Sequence, residues 1–410
     1  MKKTLLSLLA LVASSSLMAQ NGLTVLENPD GDYYGAVCLS ADGHWLAGST
    51  ISGMQAFIYN VETQEATLFD VMDENYGDCV LSIANNGVGV GYGDAAYAFS
   101  ADGTLTPYTS FSTLQGISAD GQFLVGNYKK ADTEIGAAYW SKGQLQTLPE
   151  PTEDEVGFRV LGTYANFVSA DSSVICGKIV DRYALMPAVL WRRSADGTYT
   201  LDAICKSYST EADASNPYMV FSPTGLSENG EWVALWLTAA DETGAVGRYN
   251  TKTGELEVYR FDGTNDDFTA DPLTSGIAND GTLVGFTSYA DARQGFIWEA
   301  GKSEPQLLAK RFPLCTEFLE YDEEGYHAPS SISADGRYIA GFASTASEYV
   351  SYVLDTTKAD EYLATGITTA KAEHVSLQYY TAGGQRLAAP TRGLNIVRQA
   401  DGTVRKTLNR

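Results

Sequence analysis

The 410-residue chain is 44% apolar and 19% charged, so it can bury a sizeable core and is not a disordered polymer. Its formal net charge is −24, and a field of that sign repels phosphate backbones, so nucleic acid is not an expected partner. With 40 Gly and 25 Tyr and no strings of Ala, Leu, Glu and Lys at helical spacing, the composition favours strands joined by tight turns.

At the start, Lys2 and Lys3 precede an apolar run over residues 5–13 and a small-residue exit at Leu17-Met18-Ala19. This reads as a signal peptide over residues 1–19, with cleavage expected before Gln20. The run is too short for a transmembrane segment, and no later run approaches the roughly 18 apolar residues that a span needs. The mature chain is therefore expected to be exported to the periplasm, the outer-membrane surface or the medium. Cys38, Cys79, Cys176, Cys205 and Cys315 are odd in number and scattered, without a CxxC pair. They are expected to be mostly buried small apolar residues.

From there one unit recurs. A short apolar strand ends in Ser-Ala-Asp-Gly or a relative, and a second apolar strand follows, usually closed by Gly. After a variable connection comes a strand with aromatics, then a second tight turn and a fourth strand. The first turn is found at Asp42-Gly43, Asn86-Gly87, Asp120-Gly121, Asp171-Ser172, Asn229-Gly230, Asp280-Gly281 and Asp335-Gly336. Asp-Gly and Asn-Gly between apolar runs mark hairpins, because both residues accept left-handed backbone. Second strands such as Phe123-Leu124-Val125-Gly126 and Tyr338-Ile339-Ala340-Gly341 are apolar almost throughout, as suits burial on both faces.

An antiparallel four-stranded unit repeated about seven times predicts an all-β fold, a β-propeller of about seven four-stranded blades over residues 20–363. Six or eight blades also fit, since the second copy is short and the fourth has Ser172 in place of Gly. Leu23 to Leu26 is placed to supply a strand to the last blade and fasten the ring.

The run Gly116-Ile117-Ser118-Ala119-Asp120-Gly121, with Val125-Gly126 and Ala137-Ala138-Tyr139-Trp140, resembles the HAF family of extracellular repeats. The units starting at Gly276 and Ser331 share the pattern, and the resemblance covers roughly residues 35–355. It implies a propeller and export, and names no activity.

Residues 364–374 read as a linker, and residues 375–410 as a small basic C-terminal β-module. Tyr380, Gly384, Arg386, Gly393, Ile396, Val397, Gly402 and Lys406 resemble the sorting tail of proteins exported by the type IX (Por) secretion system of Bacteroidetes. That resemblance implies contact between the tail and the secretion machinery.

Propeller topology sends the Asp-Gly hairpins to one face and the long, variable connections to the other, where binding is expected. Those connections are acidic and aromatic. The preferred ligand-binding residues are Tyr321, Asp322, Glu323, Glu324, Tyr326 and His327, with Asp266 and Asp267 from another connection. Carboxylates beside aromatics suit neutral sugars, cationic peptide segments or Ca²⁺, and the Ca²⁺ signal is weak. No cofactor is expected otherwise, and no catalytic residue can be chosen. The Asp of each Asp-Gly turn reads as a turn former. His44, His327 and His374 are too dispersed for a zinc site, and no Gly-x-Ser-x-Gly elbow supports a serine triad.

The leading reading is an exported binding protein whose long-connection face holds a glycan or protein partner. The alternatives are a carboxylate-based glycoside hydrolase or lyase on the same face, and a structural surface protein without a small ligand.

Overall fold

In the computed structural model, the described residues are 22–26, 34–50, 55–70, 79–131, 134–156, 159–180, 187–203, 218–239, 244–261, 272–289, 292–313, 326–344, 349–364, 378–381, 386–387, 393–398 and 404–409. The chain divides into two compact units, Met1–Asp360 and Glu361–Arg410.

Among the described residues of the first unit, the strands form three four-stranded antiparallel sheets and two eight-stranded ones, and each eight-stranded sheet is two four-stranded antiparallel units joined by a single parallel pair, Ile135↔Gly162 or Arg293↔Tyr326. We number the four-stranded units as blades: 1 (residues 34–69), 2 (79–107), 3 (113–147), 4 (162–203), 5 (218–260), 6 (272–307) and 7 (326–355). The first strand of each blade touches the first strands of both neighbours, and blade 7 touches blade 1, so the sheets close a ring around their inner strands. This is a β-propeller. The fourth strand of blade 7 comes from the other end of the chain. Leu23–Val25 pairs with Tyr349–Asp355, in the register Leu23↔Leu354, Thr24↔Val353 and Val25↔Tyr352. The expected fastening of the ring is present.

Seven hydrophobic clusters hold the ring, one in each seam between adjacent blades. The apolar second strands explain why. Side chains alternate between the two faces of a strand. Val233, Leu235 and Leu237 therefore enter the seam with blade 4, while Ala234 enters the seam with blade 6. A strand serving two seams has no polar face to offer, hence the near-continuous runs.

The repeated turn has a mechanism that involves more than Asp and Gly. In blade 7, Ser333 Oγ donates to Asp335 Oδ1 at 2.7 Å and accepts from Tyr338 N at 2.8 Å, while Asp335 Oδ1 accepts from Arg337 N at 3.0 Å. Blade 1 repeats this with Ser40, Asp42, His44 and Trp45. The hairpin Asp is thus structural. Gly336 sits at φ 74°, in the left-handed region. Ser172 adopts φ 56° at the same place in blade 4.

One feature has no simple sequence signature. Each inner strand carries a β-bulge shortly before its hairpin, for example between Ala165 and Phe167 or between Pro329 and Ser331. In blade 4 the bulge drives a carbonyl against the second strand. A Cβ on Gly177 would lie 1.8 Å from Tyr164 O, and one on Gly126 of blade 3 would lie 2.2 Å from Thr113 O. This accounts for the Gly that closes those strands.

After blade 7 the chain forms a helix, Thr356–Ala364, whose Ala359 is buried in the same cluster as Leu23 and Phe312. The boundary between the two units thus falls inside this helix. In the second unit, Arg386–Leu387, Gln378–Thr381, Gly393–Arg398 and Val404–Asn409 form a four-stranded antiparallel sheet in that order.

Candidate binding face

The two faces of the propeller differ. On the hairpin face, adjacent turns are hydrogen-bonded to one another. Ala334 N donates to Ala41 O at 2.9 Å, Asn85 N to Ala119 O at 3.0 Å, Ala170 N to Glu228 O at 2.7 Å and Asn279 N to Ala334 O at 2.9 Å. Side chains add to this, with Asp42 N donating to Asn85 Oδ1 at 3.1 Å and Asn229 N to Asn279 Oδ1 at 2.8 Å. Polar groups that satisfy each other in this way have little left for a ligand.

Within this stitched mouth Glu228 stands out. Its Oε2 is buried without a hydrogen-bond partner, and burial pushes its carboxyl up to about 7. A cavity of about 490 Å³ also opens on this face, between Asp280, Glu299, Arg311 and Asp335. Its guanidinium is already engaged: Arg311 Nε donates to Glu299 Oε1 at 2.9 Å, and Nη1 and Nη2 form a fork on Asp360 at 2.6 and 2.9 Å. Those carboxylates raise Arg311 above its ordinary value.

Of the residues expected on the opposite face, Tyr321, Asp322, Glu323, Glu324, Asp266 and Asp267 lie outside the described residues. Tyr326 heads the first strand of blade 7, where its backbone pairs with Ser344 and Arg293. His327 does not belong to the connection with which the sequence groups it. It lies inside that strand, 1% exposed, with its ring stacked on Tyr352 at 5.1 Å between centroids. Its Nε2 shares a hydrogen bond with the Tyr352 hydroxyl, while Nδ1 is buried without a partner. A Cβ on Gly295 of blade 6 would lie 2.5 Å from Nδ1, so the ring fills the seam between blades 6 and 7. Burial pushes the imidazole down to about 3. A buried, neutral ring of this kind offers neither a surface contact to a ligand nor a general base to a triad. Register could have revealed this, because His327 stands six residues before Ser333 as buried Thr163 stands before Ser169.

Sequence reasoning missed a second feature of this face. Lys130 and Glu134 flank the connection between the second and third strands of blade 3, and Glu150, Arg159 and Leu161 lie between that blade and blade 4. Together they line a cleft of about 390 Å³. The parallel bridge Ile135↔Gly162 joins the two blades beneath it. Lys130 Nζ forms an ion pair with Glu150 Oε1, which also accepts from Thr163 Oγ1 at 3.2 Å. Thr163 Oγ1 in turn accepts from Ala137 N at 3.0 Å, tying the pair to both blades. Glu134 and Arg159 are exposed, and among the described residues neither has an ion-pair partner. Lys130 and Arg159 are 29 positions apart, and only the neighbouring of two blades brings them together.

Among the described residues, no group of three or more His, Cys, Asp or Glu is arranged to hold a metal ion, and no helix is long and apolar enough to cross a membrane. Cys79 and Cys176 are buried, Cys38 is partly buried, and all three are free thiols. Burial pushes Cys38 and Cys176 upward, which keeps them protonated. Cys205 and Cys315 lie outside the described residues.

No protein-family model matches the chain, and no curated protein sequence does. Among solved structures the chain is similar to the β-propeller domain of Cps50 (Swd1) from Myceliophteria thermophila, with 11% identity, 81% of this chain and 99% of that chain covered, and a TM-score of 0.48. It is also similar to a streptogramin B lyase, with 12% identity, coverage of 81% and 97%, and a TM-score of 0.45. TolB from Acinetobacter baumannii is similar at 14% identity, with coverage of 72% and 67% and a TM-score of 0.41. These are likenesses of fold.

Proposed function

We propose that this chain is an exported β-propeller binding protein whose long-connection face holds a glycan or protein partner. The asymmetry of the two faces carries this reading. Hairpin turns bond to one another on one side, whereas the other side carries a cleft whose Glu134 and Arg159 have no ion-pair partner among the described residues. Binding groups that vary on a rigid scaffold are the common use of a propeller. The export part rests on residues 1–19 and on the C-terminal module over residues 375–410, which would engage the secretion machinery.

The test is saturable binding of the mature chain to arrays of surface glycans and proteins. Binding is expected to weaken with Tyr321→Ala, Asp322→Asn or Arg159→Gln, and to persist with Asp102→Asn, an exposed hairpin residue on the other face. The opposite pattern overturns the reading. Release of product from a polysaccharide, abolished by a single carboxylate substitution, would replace binding by catalysis.

A further inference from the structure

We propose that the cleft between blades 3 and 4 is a peptide site that takes a short segment bearing one anionic and one cationic side chain, the anion on Arg159 and the cation on Glu134. This rests on the reading of the long-connection face as the binding face, and it narrows the partner to a protein.

The charges of the cleft decide the class. Its floor is the Lys130–Glu150 ion pair, with side chains 24% and 33% exposed and Glu150 tied to Thr163. That pair is already satisfied and half-buried, so a ligand charge gains little by breaking it. Among the described residues, the groups without an ion-pair partner are Arg159 and Glu134, one of each sign. A polyanion such as a uronate chain would meet Arg159, but it would also face Glu134 and Glu150 in a chain of net charge −24. A lone cation would pair with Glu134 and leave Arg159 opposing it. A segment with both charges satisfies both groups, and the planar guanidinium receives a carboxylate in two parallel hydrogen bonds.

Size and surroundings agree. A cavity of about 390 Å³ accommodates a few side chains. Leu161 is 41% exposed at its edge, one of few large apolar side chains exposed among the described residues, and it offers a contact to an aliphatic residue between the two charges. Lys130 and Glu134 sit near the facing ends of two paired strands, and the Ile135↔Gly162 bridge anchors the strand that follows Arg159 and Leu161, so part of the site is ordered before binding.

The test uses the full mature chain and capped tripeptides, acetyl-Arg-Leu-Glu-amide and its reverse order, in titration calorimetry at low salt. Controls replace Arg or Glu of the peptide with Gln, and include trigalacturonate and a neutral trisaccharide. One site per chain is expected, and removing either peptide charge should weaken binding by about two- to fivefold. Arg159→Gln should abolish discrimination between the Glu and Gln peptides, and Glu134→Gln that between the Arg and Gln peptides. Both residues are exposed, so the variants should keep the melting temperature of the parent. Failure of the tripeptides to bind, indifference to their charges, or tighter binding of trigalacturonate overturns the proposal. If a partner still binds through Tyr321 or Asp322, the peptide cleft falls alone. If nothing binds this face, both readings fall.

Discussion

The guanidinium carbon of Arg248 in blade 5 lies 4.4 Å above the indole ring of Trp298 in blade 6. Arg248 is 2% exposed, and its nitrogens donate to Glu257 Oε2, Gly281 O, Glu299 O and Lys302 O. Trp298 Nε1 donates to the same Lys302 carbonyl at 2.8 Å. One cation thus links two blades and a turn, stacked on an aromatic face and out of water. Arg248→Ala should lower the unfolding free energy by about 3 kcal/mol, because it removes the stack and leaves the buried Gly281 carbonyl without the donor that Arg248 supplies. Arg248→Lys should recover little, since an ammonium cannot reach the same acceptors. Denaturant titrations with unchanged slope measure both, and a loss near zero would mean that the seam is held by its apolar cluster alone.

The ring is fastened by a short strand. Leu23 is fully buried, Asp355 N donates to Gly22 O at 2.7 Å, and Leu26 N donates to Ser351 O at 2.9 Å. Leu23→Ala should cost about 2–5 kcal/mol and should expose the chain near blade 7 to protease before the other blades. Uniform protease sensitivity across the blades would argue against a closure at this seam.

Two buried groups give opposing pH dependences. His327, held down to about 3, is neutral in the folded chain, while its unfolded counterpart protonates below about 6.5. The unfolded state then binds the extra proton, so stability falls as pH drops from 6.5 towards 3, by about 1.4 kcal/mol per unit at most. Glu228 works the other way. Pushed up to about 7, it stays protonated when folded, while the unfolded carboxyl ionises above about 4.5. Its stability contribution is complete below 4.5 and is lost as pH rises through 7. Between 4.5 and 6.5 the two slopes offset each other. Glu228→Gln should therefore stabilise the protein at pH 8 by about 2 kcal/mol and unmask the acid sensitivity of His327. His327→Gln should unmask the opposite slope. Unfolding curves from pH 4.5 to 8 decide this, and parallel profiles for parent and variants would refute it.

The turn network predicts coupling. Ser333 and Asp335 bond to each other and to the same hairpin backbone. Ser333→Ala and Asp335→Ala should each cost about 1 kcal/mol, and the double variant less than their sum. Partner binding should be unchanged, because this turn is on the other face. A strictly additive double variant would remove the case for a shared network.

Much of the scaffold was legible because its signals are local. Asp120-Gly121 and its copies need left-handed backbone, and Val233 to Leu237 must feed two seams, so turn positions and all-apolar strands appear directly in the residue order. Leu23 to Leu26 could be assigned to the last blade because a ring that is one strand short has a single place for it. The bulges were not legible, since an extra residue in an inner strand shows only in the pairing. His327 was misplaced for a related reason: residue type suggested a ligand, whereas the strand register decides which seam the ring enters.

By itself, then, the sequence determined the repeated blade, its turns and the strand that closes the ring, since each depends on neighbours within a few residues or on a repeating count. Only the tertiary structure decided which charges meet. Lys130 and Glu150 pair, and among the described residues Arg159 and Glu134 have no ion-pair partner beside them, because blade 4 packs against blade 3 and brings all four to one cleft. Electrostatic partners are set by distance in space, and no local pattern along the chain encodes that distance.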